Sequence, residues 1–182
     1  MSTIYVLIVF AVAGISVIGG FNRRMSKQVP SLIGTALGII FARLLGPGFE
    51  EIIYGLFPSV HGSLEETFLY NVTSRIIIFA SIYLVFKTLT FFVGKAFSSG
   101  EHSILDNIAG AIFCLFKYLL FLSMAFNFIA GNDTESELLH FVKSDDGNAI
   151  EEVMLLSPAL MGGEDVEELA HKIQMEEARK IS

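Results

Sequence analysis

Lys117 poses the first chemical question in this chain. It stands in "ILDNIAGAIFCLFKYLLFLSMAFNFIA", residues 104–130, an apolar run whose other charge is Asp106. About thirteen residues into a helix is roughly 20 Å from its start. A charge at that depth is rare and usually faces a bundle interior or a watery cavity. At 100° per residue, Asp106, Gly110, Cys114 and Lys117 fall within about an 80° arc. That face joins a carboxylate, two small residues and an ammonium, which suits part of an ion or solute pathway. The commoner use of such a lysine is structural: it snorkels, or it meets carbonyls at a helix contact. Lys87 raises the same question in the preceding apolar run, ten residues before Phe97. Ser74, Ser81, Thr88 and Lys95 recur there every seven residues, a spacing that keeps side chains on one slowly drifting face. A helix–helix seam with hydroxyl bonds of about 0.6 kcal/mol each is expected, with a polar pore lining as the alternative. Gly34 and Gly38 form a G-x-x-x-G, where two backbones can approach closely, either within the bundle or in a homodimer.

Catalytic patterns are missing. No G-x-S-x-G, G-x-x-x-x-G-K-[ST] or H-E-x-x-H occurs. The four histidines are far apart and show no ligand spacing. Cys114 is the single cysteine, so no internal disulfide forms. No enzyme, metal or cofactor is expected. Nucleic acid is not expected as a partner either, because the few basic residues are scattered among apolar ones.

The elements that must position these residues are membrane helices. The chain is 53% hydrophobic and 17% charged, against about 25% charged in an ordinary soluble domain. The charge is uneven: residues 1–130 hold 8 basic and 6 acidic residues, residues 131–182 hold 4 and 13. Spanning takes about 20 apolar residues. Four segments are read as spans, at about 4–21, 30–46, 72–97 and 104–130, the second with Pro30 near its first turn, where proline is tolerated. The fold class expected is all-α: a four-span domain over residues 1–130, then an acidic, partly helical extramembrane tail over 131–182. A cleaved signal is not expected, since the basic residues follow the first apolar run.

Arg23, Arg24 and Lys27 fill the first connection, whereas Pro47–Asn71 has no basic residue in 25. The positive-inside rule puts the first and third connections in the cytoplasm and both termini outside. The second, apolar, aromatic and acidic, suits either an interfacial, partly re-entrant segment or a plain outer loop. Arg43 and Arg75, near the outer helix ends, can pair with Glu50, Glu51, Glu65 or Glu66.

Two stretches carry a family likeness. "GGFNRRMSKQVPSLIGTALGII" resembles the Gly-Phe-basic turn and Ser-Leu-x-Gly helix of the CvpA family, the colicin V production proteins. "SILDNIAGAIFCLFKYLLFLSMAF" resembles that family's Leu-Asp-Arg-x-x-Gly lead into the fourth helix, with Asn107 in the arginine position. The resemblance implies a multi-pass protein of the bacterial inner membrane, associated with colicin V production or export and with the envelope; the outer side on which the positive-inside rule puts both termini is then the periplasm. It brings no catalytic residues. The expected partners are the lipid bilayer, an export or envelope protein at the acidic tail, and a second copy of the chain. The alternative function is a small oligomeric channel or transporter with its pathway near Lys117.

Overall fold

The computed structural model describes residues 2–23, 25–57, 64–93, 104–132 and 148–164, with Glu168, His171, Lys172, Met175 and Arg179. Five helices make up the described fold: α1 Ser2–Arg23, α2 Met25–Leu56, α3 Leu64–Val93, α4 Ile104–Asn132 and α5 Asn148–Met161. The first four are long and apolar enough to cross a membrane. The protein is an all-helical, multi-pass membrane protein.

Two antiparallel pairs build the bundle. α2 lies on α3: Gly34 faces Tyr83, Gly38 faces Phe79, and Gly46 faces Arg75. α1 lies on α4: Gly20 meets Gly110, Ala111 and Cys114, while Tyr5 stands edge-on to Phe126. Lipid tails are as apolar as leucine, so such helices associate through close packing and hydrogen bonds rather than through apolar burial. The glycines supply that closeness. A Cβ on Gly20 would sit 2.5 Å from the Gly110 carbonyl oxygen and from the Cys114 Cβ. Leu7, Phe10, Ile15 and Ile18 of α1 point away from the bundle, as a lipid-facing helix requires.

The helix bounds differ from the sequence reading in α2 and α3. α2 begins at Met25, so Pro30 lies in its second turn, and it continues through Pro47 to Leu56. α3 begins at Leu64, leaving a connection of residues 57–63 instead of a 25-residue loop. A proline inside a helix removes one backbone hydrogen bond. Packing outweighs that loss here: beyond Pro47, Glu50 bonds to Asn71 and Arg75, and Tyr54 meets Tyr70 edge-on at 5.1 Å.

α5 docks at the α2–α3 end of the bundle. Ile150, Met154 and Met161 are buried, the first two in a cluster with Phe68, Val72, Phe126 and Ala130. The apolar face of α5 is thus covered by the chain's own α3 and α4.

Candidate functional site

Four helices converge on a pocket of about 420 Å³ at the α1–α2 end. The last turn of α1 brings Arg23, and the first turns of α2 bring Lys27, Gln28 and Ser31. α3 contributes Tyr83 and Lys87; α4 contributes Lys117, Tyr118 and Phe121. Gln28 fixes the corner. Its amide nitrogen donates to the Gly20 carbonyl at 3.3 Å and to the Gly110 carbonyl at 3.2 Å. Gly20 lies in the last turn of α1, where carbonyls lack helical partners, so Gln28 both caps α1 and ties it to α4. Lys117 is only 7% exposed. Its ammonium donates to Ser31 Oγ at 3.2 Å, and that hydroxyl shares a 3.2 Å hydrogen bond with Tyr83 Oη. The rings of Tyr118 and Phe113 lie 5.1 and 5.6 Å from the ammonium, close enough for cation–π attraction. Lys87 stands 5.8 Å from the Tyr83 ring. Four of the nine lining residues are cations, and none of the nine is acidic.

At the opposite end, polar side chains serve as joints. Pro158 lies inside α5 and has no N–H, so the Met154 carbonyl lacks its usual i+4 donor. Asn127 Nδ2 donates to that carbonyl at 2.7 Å, and Ser123 Oγ donates to it at 3.0 Å. The displaced Ser157 N–H donates in turn to Ser123 Oγ at 2.8 Å. Proline is tolerated inside a helix where neighbouring helices satisfy the freed groups in this way. Nearby, the buried Arg75 pairs with Glu50 at 3.4 Å and donates to the Asn71 carbonyl at 2.8 Å. Asn71 Oδ1 accepts from the Glu164 N–H, which clips the chain beyond α5 onto α3.

Residues 6–144 match the family model described as Colicin V production protein. The chain belongs to that family. No curated protein and no solved structure matches it. The family match spans α1 to α4 and stops short of α5. The two stretches that carry the family likeness, about ninety residues apart in sequence, meet in space at the basic pocket. The first supplies Arg23, Lys27, Gln28 and Ser31, and the second supplies Lys117, Tyr118 and Phe121.

The sequence-predicted residues divide accordingly. Lys117 and Lys87 share the pocket, but Asp106 is not among its lining residues. Gly110 and Cys114, on the same arc of α4, face Gly20 of α1. The arc is therefore mainly a helix contact, with the lysine opening at its far edge. The heptad seam on α3 is also corrected. Ser74 is fully buried and donates to the Asn71 carbonyl, but Ser81 and Thr88 are exposed. Ser81 donates to the Ile77 carbonyl of its own helix. A straight helix drifts about 20° per seven residues, and hydroxyls bonded within their own helix need no neighbour. Gly34 and Gly38 face α3 inside one chain. Arg23 and Lys27 line the pocket; Arg24 and Lys95 lie outside the described residues. Gln28, Ser31 and Tyr83 escaped the sequence reading, as did Ser123 and Asn127; Pro158 reads there as an interruption, whereas α5 runs through it to Met161. Pro158 held the one usable signal, since a proline within an apolar helix calls for donors on a neighbour.

Proposed function

We propose that this family member is a non-enzymatic protein of the bacterial inner membrane that assists colicin V production or export and envelope maintenance. The observation that carries the reading is the family match, which runs across all four spans. The use of the polar side chains supports the absence of catalysis: Gln28, Ser123, Asn127 and Arg75 each hold one segment of the bundle to another. Arg23 and Lys27 at the α1–α2 end support a cytoplasmic position for that turn and periplasmic termini. A colicin V-producing strain lacking the protein is the test of function. The expected result is lost toxin release, restored by the full chain; equal release with and without the chain removes the reading. Orientation is tested in intact cells with an impermeant thiol reagent, in a Cys114→Ala background. Labelling of Ser144→Cys but not Ser26→Cys is expected, and the reverse pattern inverts the topology.

A channel or transporter is the second reading, favoured by the buried Lys117 beside a 420 Å³ pocket. It ranks second because Phe79, Tyr83 and Phe121 pack ring on ring at the inner wall of the pocket, at centroid distances of 5.5 to 6.0 Å. Liposome flux that is absent, or indifferent to Lys117→Ala, eliminates it.

A further inference from the structure

We propose that the basic pocket and the apolar groove beside it form one binding site for an anionic phospholipid, phosphate in the pocket and one acyl chain along the groove. The inference goes beyond the proposed role in toxin production and rests only on the membrane-spanning bundle.

The pocket asks for an anion. Arg23, Lys27, Lys87 and Lys117 converge on it, and no acidic side chain is among the described lining residues. Lys117 is the strongest element. A desolvated ammonium is costly unless paired, and its partners here are the neutral Ser31 hydroxyl and two ring faces. A phosphate oxygen supplies the missing charge. The position also suits a headgroup. Lys27 is the third residue of α2, and Lys87 lies six residues before the end of α3, roughly 9 Å along the axis. Basic residues at the level of Lys27 and Lys87 attract anionic lipid, and Lys117, roughly 20 Å along α4, lies at the deep end of the pocket.

The groove supplies the rest of the ligand. A cavity of about 490 Å³ runs between α3 and α4, lined by Ile76, Leu84, Met124 and Phe128 among others. It shares the Tyr83 and Phe121 rings with the basic pocket, so the two adjoin, with those rings as the wall between them. From Lys87 to Ile76 is roughly 16 Å along α3, about half of the ~30 Å hydrocarbon thickness. One leaflet's acyl chain fills that length. A free phosphate group would use the head pocket alone and leave the groove idle, which is why the lipid is the source assigned.

The test is native mass spectrometry of the detergent-solubilised full chain, equilibrated with mixed micelles of phosphatidylglycerol and phosphatidylcholine. Wild type is expected to retain phosphatidylglycerol at least about 25-fold over phosphatidylcholine, since each basic contact is worth about 1 kcal/mol, roughly fivefold. Lys27→Gln and Lys87→Gln, both at exposed positions, should each lower that preference about fivefold. Ala125→Phe, an exposed groove position, should reduce retention of phosphatidylglycerol while leaving binding of inorganic phosphate unchanged. Helical circular dichroism and monodisperse elution verify that each variant is folded. Equal retention of the two lipids, or a preference indifferent to the lysine variants, overturns the proposal. So does inorganic phosphate binding that depends on the lysines while Ala125→Phe leaves lipid retention untouched, because the site then reads a free phosphate. None of these outcomes depends on toxin release, so this inference and the proposed function fail separately.

Discussion

Asn127 holds α5 to the bundle, and its replacement by leucine tests how a proline is accommodated inside this fold. The amide nitrogen donates to the Met154 carbonyl, the Ser123 carbonyl and Ser157 Oγ, at 2.7, 2.9 and 3.2 Å. Leucine keeps the volume and removes all three bonds. The Met154 carbonyl keeps Ser123 as a donor, so the group is weakened rather than orphaned. Interhelical hydrogen bonds in membranes average about 0.6 kcal/mol and reach about 1.7, so Asn127→Leu should cost about 1–2 kcal/mol. Ser123→Ala removes the Oγ that donates to the Met154 carbonyl and accepts from the Ser157 N–H, and a hydrogen bond is worth about 0.5–1.5 kcal/mol. Together the two changes leave the Met154 carbonyl without any donor. Their joint cost should exceed the sum of the single costs by about 1 kcal/mol, as expected within one shared network. Pro158→Ala in the double variant restores an N–H to the Met154 carbonyl along α5 itself, and should recover roughly 1 kcal/mol. The assay is unfolding in detergent, with hydrogen exchange across residues 148–161 to report undocking of α5. Strictly additive single changes, or an alanine at 158 that rescues nothing, would refute the argument that Ser123 and Asn127 stand in for the missing proline N–H.

Gly20→Ala should cost about 1–3 kcal/mol or more, since its Cβ meets backbone of α4. Gly14→Ala, which faces open space on the same helix, should be neutral or gain up to about 1 kcal/mol; equal thermal shifts for the two refute close packing at Gly20. Glu50→Ala leaves the buried Arg75 without its counter-charge and should cost about 3–5 kcal/mol, whereas replacing both residues by apolar ones of similar volume should recover most of that. Lys172 is held above its usual pKa near 10.5 by the hydrogen bonds it donates to Glu164 and then to Glu168. A raised folded-state pKa contributes stability that is complete below the unfolded value and lost as pH rises past the folded one. Lys172→Met should therefore alter the alkaline limb above about pH 10 and leave the slope between pH 7 and 9 unchanged in a pH titration of unfolding.

The spans were legible because length and apolarity decide them, and α1 and α4 begin and end within two residues of the sequence reading. α2 and α3 were misjudged at Pro47 because the forces that carry a helix past a proline come from elsewhere in the chain. Glu50 has no reason to be helical until Asn71 and Arg75 are beside it. The basic pocket was half legible. Lys87 and Lys117 stood out as charges in apolar runs, and Arg23 and Lys27 stood out as a basic knot. Nothing along the sequence says that these two kinds of signal belong to one place. Gln28 and Gly20 bring them together, and a glutamine next to a turn looks like any other polar residue until two carbonyls are seen within its reach.

The contact of Gly20 with Gly110 also sets a timetable. α1 leaves the ribosome ahead of its principal partner, α4, which follows about 90 residues later. At roughly 5–20 residues per second that is a wait of about 5–18 s. During it, α1 stands in lipid without its mate, which is tolerable because residues 4–22 carry no charge and every backbone group but those at the ends is bonded internally. α2 and α3, with the buried Arg75 and its half-buried partner Glu50, have no such independence, and they are also the pair that form as neighbours in sequence. The order in which the spans are made thus matches the order in which each can bear to be alone.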